Sequence, residues 1–113
     1  MPNAKTVISG NTDMLLLKLL SREDMYGYQI IEELRRQSNN VFELNAGTLY
    51  PLLHGLEKKR YVESYDADAI AGKVRKYYRI TEDGRSFLLV REAQWEEYSV
   101  AVNNILFGGV CLD

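Results

Sequence analysis

Residues 45–59 read NAGTLYPLLHGLEKK, and the leucines of this stretch decide the fold. Leu49, Leu52, Leu53 and Leu56 stand at i, i+3, i+4 and i+7, a complete apolar stripe on one face of a helix. Asn45 is placed to cap that helix, which is predicted over about residues 46–59. Pro51 then falls at the sixth helical position, where it removes a hydrogen bond and crowds the preceding turn, so the helix either starts nearer Tyr50 or bends there. Upstream, Asn11, Thr12 or Asp13 caps a leucine-dense helix running through Leu20, dense enough to be buried on most sides. After a polar connection at 21–24, a second helix is predicted over about 26–38. It has Ile30, Ile31 and Leu34 on one face, and Arg35 and Arg36 at the end where cations suit the dipole. Asn39-Asn40 marks the turn.

Downstream, 61–65 is aromatic and β-branched. Residues 74–80 alternate, with Lys76, Tyr78 and Ile80 on one side and Arg75, Tyr77 and Arg79 on the other. The segment between them, 66–73, reads as a hairpin tip of about eight residues, longer than the usual two to five. Thr81 then caps a long final helix, with Glu82 and Asp83 in its first turn, ending near residue 107 before Gly108-Gly109. At about 1.5 Å per residue it is roughly 40 Å long, more than a domain this small can cover. Leu88, Trp95 and Val102 recur at spacing seven with Tyr98 and Ile105 between, a partial heptad seam that points to association between subunits. The alternative is a helix folded back on its own domain.

Three helices followed by a hairpin is the order of a winged helix-turn-helix, in which the third helix enters the DNA major groove and the hairpin lies along the backbone. The expected fold is therefore mainly α with a small β-hairpin. A winged helix-turn-helix DNA-binding domain occupies 1–80, and a C-terminal dimerisation helix with a short tail occupies 81–113. Lys73, Arg75, Lys76 and Arg79 put four cations in seven residues, and Lys58, Lys59 and Arg60 add three at the end of the third helix. Such groups displace counterions from DNA phosphates.

The composition bounds this reading. The 113 residues suffice for one domain and not comfortably for two. With 46 % hydrophobic and 27 % charged residues, the chain is neither a disordered tail nor a disulfide scaffold. The net charge of −2 argues against a polyanion partner until it is divided along the chain. Residues 1–80 carry 12 basic and 10 acidic side chains, and 81–113 carry 2 and 6. The excess acid thus lies behind the part that would face DNA. Cys111 has no internal partner, so no oxidising compartment is implied. The apolar run 14–17 is too short for a membrane span or signal core, and a cytoplasmic protein is expected. No nucleophile motif, phosphate loop or metal-ligand cluster occurs, so neither enzyme activity nor a cofactor or metal is expected.

Three segments carry a more specific resemblance. They are Tyr26-Gly27-Tyr28-Gln29-Ile30, Gly47-Thr48-Leu49-Tyr50-Pro51-Leu52-Leu53 and Arg75-Lys76-Tyr77-Tyr78-Arg79-Ile80-Thr81-Glu82-Asp83-Gly84. In order and spacing they resemble the signature stretches of the PadR family of bacterial transcriptional regulators, over about residues 8–107. The length is similar to that of the small subfamily, with a single C-terminal helix. The resemblance implies a homodimeric winged-helix repressor whose two third helices read the half-sites of a palindromic double-stranded operator about one turn apart.

Carried over by position, Asn45, Thr48 and Tyr50 fall in the first turns of the recognition helix, and Tyr28 matches a tyrosine that reaches the DNA backbone or packs in the core. Lys73, Arg75 and Lys76 become wing contacts. His54 and Lys58 lie further along the same helix, where His54 reads as a surface residue or a base reader. Trp95 matches a tryptophan that some small members place at the dimer centre. There two indoles can sandwich a flat aromatic effector, with Asn11, Leu15, Ser99 and Val102 as lining candidates, or Trp95 simply packs the seam with Leu88, Tyr98, Val102 and Ile105. The family usually has glycine where Arg60 stands and a double glycine in the wing, where this chain keeps Gly72. The competing reading is a winged-helix module that binds protein and no DNA.

Overall fold

The computed structural model describes residues 10–68 and 72–108. Helix α1 (Thr12–Arg22) buries Met14, Leu16, Leu17, Leu19 and Leu20, so it is apolar around most of its circumference and forms the centre of the core. It runs two residues past Leu20. The Ser21 hydroxyl donates back to the Lys18 carbonyl at 2.6 Å, and Arg22 sits in the last turn, where a cation complements the dipole. Asn11 holds the N-cap position, and at this end Asp13 Oδ1 accepts the Met14 N–H at 2.7 Å.

A two-residue strand, β1 (Met25–Tyr26), follows and was not legible as an element. It leads into α2 (Gly27–Gln37), which buries Ile30 and Leu34 and starts with the Gln29 side chain accepting the Tyr26 N–H at 3.0 Å. The helix ends as the Asn39-Asn40 pair suggested. Both asparagines are left-handed, at φ 52° and 67°, and the Asn40 N–H closes on the Arg35 carbonyl at 2.8 Å.

Helix α3 (Ala46–Lys58) starts on Asn45, whose Oδ1 accepts the Thr48 N–H at 2.9 Å. It passes through Pro51. The price is the i+4 donor of the Gly47 carbonyl, and Gly47 is exposed, so solvent can serve that oxygen instead. Leu49, Leu53 and Leu56 are buried and Leu52 half-buried, as the stripe requires. The helix closes on Arg60 at φ 66°, with the Arg60 N–H on Glu57 O and the Tyr61 N–H on Leu56 O, each at 2.9 Å. Arg60 therefore adopts the conformation that glycine takes without strain. Arg60→Gly is expected to raise stability by about 1 kcal/mol, read from the urea midpoint; a fall would show that the arginine side chain compensates its strain.

Strands β2 (Val62–Asp68) and β3 (Val74–Ile80) form an antiparallel hairpin, and β3 also pairs with β1, giving the order β1-β3-β2. The β3 limits match the alternation, whereas β2 continues three residues past Tyr65. There Asp66 stands opposite Lys76 in the register of a two-stranded ribbon. The eight-residue tip is correspondingly shorter, and Ile70 and Ala71 lie outside the described residues. On the core side of the sheet, Val62, Tyr78 and Ile80 close over α1 together with Leu88.

Helix α4 (Glu82–Leu106) starts on Thr81, whose hydroxyl accepts the Gly84 N–H at 3.0 Å and donates to the Arg60 carbonyl at 2.7 Å. Its first half is fastened to α1 by Lys18–Glu92 at 2.9 Å and Arg91–Asp13 at 3.2 Å. The result is a mainly helical winged helix-turn-helix with a small three-stranded sheet. No helix among the described residues is long and apolar enough to cross a membrane.

Candidate nucleic-acid interface

The leucine stripe of α3 fixes which of its faces is outward. With Leu49, Leu53 and Leu56 in the core, the exposed positions Tyr50, His54 and Lys58 follow one another at four-residue steps, and this row contains no carboxylate. At the head of the row, Asn45 is exposed and Thr48 half-buried. The Asn45 oxygen is committed to the cap, but its NH2 group retains two donors.

Tyr50 has two surroundings at once. It is 37 % exposed, yet its hydroxyl end lies against Gly27 at the start of α2, where a Cβ would collide with the phenol. Gly27 therefore allows Tyr50 to lie in the angle between the two helices. Tyr28, the next residue, is 67 % exposed and so is not a core side chain. It borders a groove shared by β1, the start of α2 and the wing, lined among others by Tyr26, Gln29, Glu33 and Arg75. The Arg36 guanidinium, helped by the Gln37 amide, holds the Glu33 carboxyl down at about 2.

The wing separates its cations. Lys73 and Lys76 are exposed. Arg75 is half-buried, with its guanidinium 4.8 Å above the Tyr26 ring. Arg79 is drawn the same way, 5.0 Å over Tyr65 and 2.9 Å from Glu63. Four cations in seven residues is thus two lysines facing solvent and two arginines tied to their own sheet. Inside, Tyr78 is fully buried, its hydroxyl has no partner among the described residues, and desolvation raises its pKa, with Glu57 and Tyr50 adding to the rise.

Along α4, Leu88 packs in the core of its own chain and so is not part of a seam between subunits, while Ser99 and Val102 are half-buried in a second half that is otherwise open. Trp95 is 41 % exposed and stands 5.9 Å from the Tyr98 ring; Ile105 is 81 % exposed. Of the other candidates for an effector pocket, Leu15 is half-buried against the core and Asn11 stands at the N-cap of α1. The residues that escaped sequence reasoning are Tyr26, Tyr65 and Tyr77, one from each strand on the outer face of the sheet, and Asp24 just before β1, which accepts from Tyr65.

The model of the transcriptional regulator PadR-like family matches residues 16–89, which include α2, α3 and all three strands. A protein from Lysinibacillus sphaericus is 36 % identical over 102 residues, spanning 90 % of this chain and 94 % of its own. Among solved structures, a PadR-like transcriptional regulator from Bacillus cereus strain ATCC 14579 superposes with a TM-score of 0.80 at 30 % identity, covering 88 % of this chain and 95 % of that one. A PadR family transcriptional regulator from Eggerthella lenta DSM 2243 superposes at 0.76 with 35 % identity, covering 89 % and 86 %.

Proposed function

Because the chain belongs to the PadR-like family of transcriptional regulators, we propose that it acts as a homodimeric repressor binding a palindromic DNA operator through α3 and the wing. The observation that carries this is the outward row of α3, with tyrosine, histidine and lysine and no acid, on a helix whose opposite face is locked in the core. Asn45, Thr48, Tyr50 and His54 contact bases or phosphates from the first turns of α3, and Lys58 follows one turn on. Tyr28 contacts the backbone from the start of α2. In the wing, Lys73 and Lys76 supply phosphate contacts, and Arg75 stands between them nearer the body. The two units, 1–80 for DNA and 81–113 for dimerisation, divide the work.

A gel shift with the DNA upstream of its own gene at two salt concentrations tests the reading. Binding that weakens steeply with salt supports it. No binding to any duplex overturns it in favour of a winged-helix module for protein partners. Tyr50→Ala is expected to weaken binding to all sequences by about 1–2 kcal/mol. Since the Tyr50 ring also packs against Gly27, Tyr50→Phe is the sharper variant. It keeps the ring, and an unchanged affinity would remove the hydroxyl from the interface.

The second half of α4 supports the dimer, because Trp95, Tyr98, Ile105 and their neighbours leave a set of large apolar side chains open on one helix. Paired across a two-fold axis, two Trp95 indoles form a slot for a flat aromatic effector, with Asn11, Leu15, Ser99 and Val102 around it. Ligand in that slot changes the angle between the two wings, and with it the fit to two half-sites.

A further inference from the structure

The wing leaves the body of the protein at a definite row of the sheet. β1 pairs with β3 only at Met25↔Tyr78 and Tyr26↔Tyr77, so the row Tyr26, Tyr77, Tyr65 is the last one that is three strands wide. Beyond it, from Asp66↔Lys76 to Asp68↔Val74, the hairpin is a two-stranded ribbon. Such a ribbon has little stability of its own, so its direction is set by how its base is held. The base is held by side chains. The Tyr77 ring stands edge-on to Tyr26 at 5.4 Å and stacks with Tyr65 at 5.8 Å and 17°. The Tyr65 hydroxyl then reaches past β3 to donate to Asp24 Oδ2 at 2.5 Å. Arg75 turns back from the ribbon to lie over Tyr26, and Arg79 covers Tyr65.

We propose that Asp24 and Tyr65 are positioning residues for the wing. Their hydrogen bond ties the outer strand of the hairpin to the segment entering α2, and so sets where Lys73 and Lys76 stand relative to α3. The inference rests on the DNA-binding reading above. It assigns a role in DNA binding to two residues that need not touch DNA. The hydrogen bond to the Asp24 carboxylate also raises the pKa of the Tyr65 hydroxyl, in keeping with its role as donor.

The test is the slope of log affinity against log salt, measured with the DNA upstream of its own gene for the wild type, Tyr65→Phe, Asp24→Ala and Asp24→Asn. Each phosphate contact contributes about 0.9 to that slope. Tyr65→Phe and Asp24→Ala free both wings of the dimer, and the slope is expected to become shallower by about 4 for its four wing lysines. Asp24→Asn keeps an acceptor oxygen and is expected to retain the wild-type slope. A variant that merely lost folded protein would lose apparent affinity equally at every salt concentration, with its slope unchanged. Wild-type binding with an unchanged slope in both Tyr65→Phe and Asp24→Ala overturns the inference alone. Wild-type protein that binds no duplex overturns the DNA reading, and this inference with it.

Discussion

Gly84→Ala is expected to lower the melting temperature by about 10–20 °C, although alanine is the better helix former by about 1 kcal/mol. Gly84 is in the first turn of α4, and a Cβ there would run into the Tyr61 carbonyl oxygen. The same atom would stand 2.8 Å from Ile80 Cγ1 and 3.0 Å from the Tyr61 carbonyl carbon. Unlike the end of a flexible side chain, this carbonyl cannot step aside. It accepts the Thr81 N–H at 3.0 Å, and the Tyr61 N–H is held by Leu56 O at 2.9 Å. The helix must move instead, and it carries Leu88 into the core and Thr81 onto the Arg60 carbonyl. Overpacking of this kind costs about 2–3 kcal/mol, and each kcal/mol shifts the midpoint of a domain this size by about 4–8 °C. Gly55→Ala is the matched control. Gly55 is within α3, and a Cβ there would meet nothing within 4 Å, so alanine should raise the midpoint slightly. Thermal unfolding followed by circular dichroism separates the two, and a Gly84→Ala midpoint at or above wild type would contradict the packing described for this junction.

That junction also shows where the sequence is readable. The Thr81 cap, the acids behind it and the β3 alternation are local signals, and the structure has them in place. The same is true of the leucine stripe and of Asn45, because helix periodicity and capping depend on residues a few positions apart. Arg60 is a more telling case. The resemblance puts a glycine there and the arginine side chain argues against a left-handed residue, yet the backbone is left-handed, since two hydrogen bonds onto α3 depend on it. The outer face of the sheet could not be read. β1 is two residues long, too short for any period, and it exists only because Met25 and Tyr26 meet Tyr78 and Tyr77 from fifty positions away. The alternation did put Arg75 and Arg79 on one side with Tyr77, but the rings they cover, Tyr26 and Tyr65, come from the two neighbouring strands and show only in the pairing.

The second half of α4 bears on function most directly. The double variant Tyr98→Glu, Ile105→Glu is expected to convert the protein to a monomer and to weaken operator binding at least about 100-fold. Within one chain both side chains are exposed, and the Tyr98 ring meets only that of Trp95 among the aromatic contacts of the described residues. Neither substitution removes a core contact, so helical circular dichroism should persist. In a dimer sealed along Trp95, Tyr98, Val102 and Ile105, with Leu88 held in the core of its own chain, the same changes bring four carboxylates into an apolar interface. Burying unpaired charge there costs more than a modest interface can supply. The effect on DNA is larger than any single contact, since linking two half-site readers is worth about 10²–10⁴ in affinity through effective concentration alone. Mass from light scattering on a sizing column and a gel shift on the same samples read the two effects separately. A variant that keeps the wild-type mass places the subunit contact elsewhere. One that becomes monomeric yet binds the duplex unchanged would show that a single α3 and wing suffice.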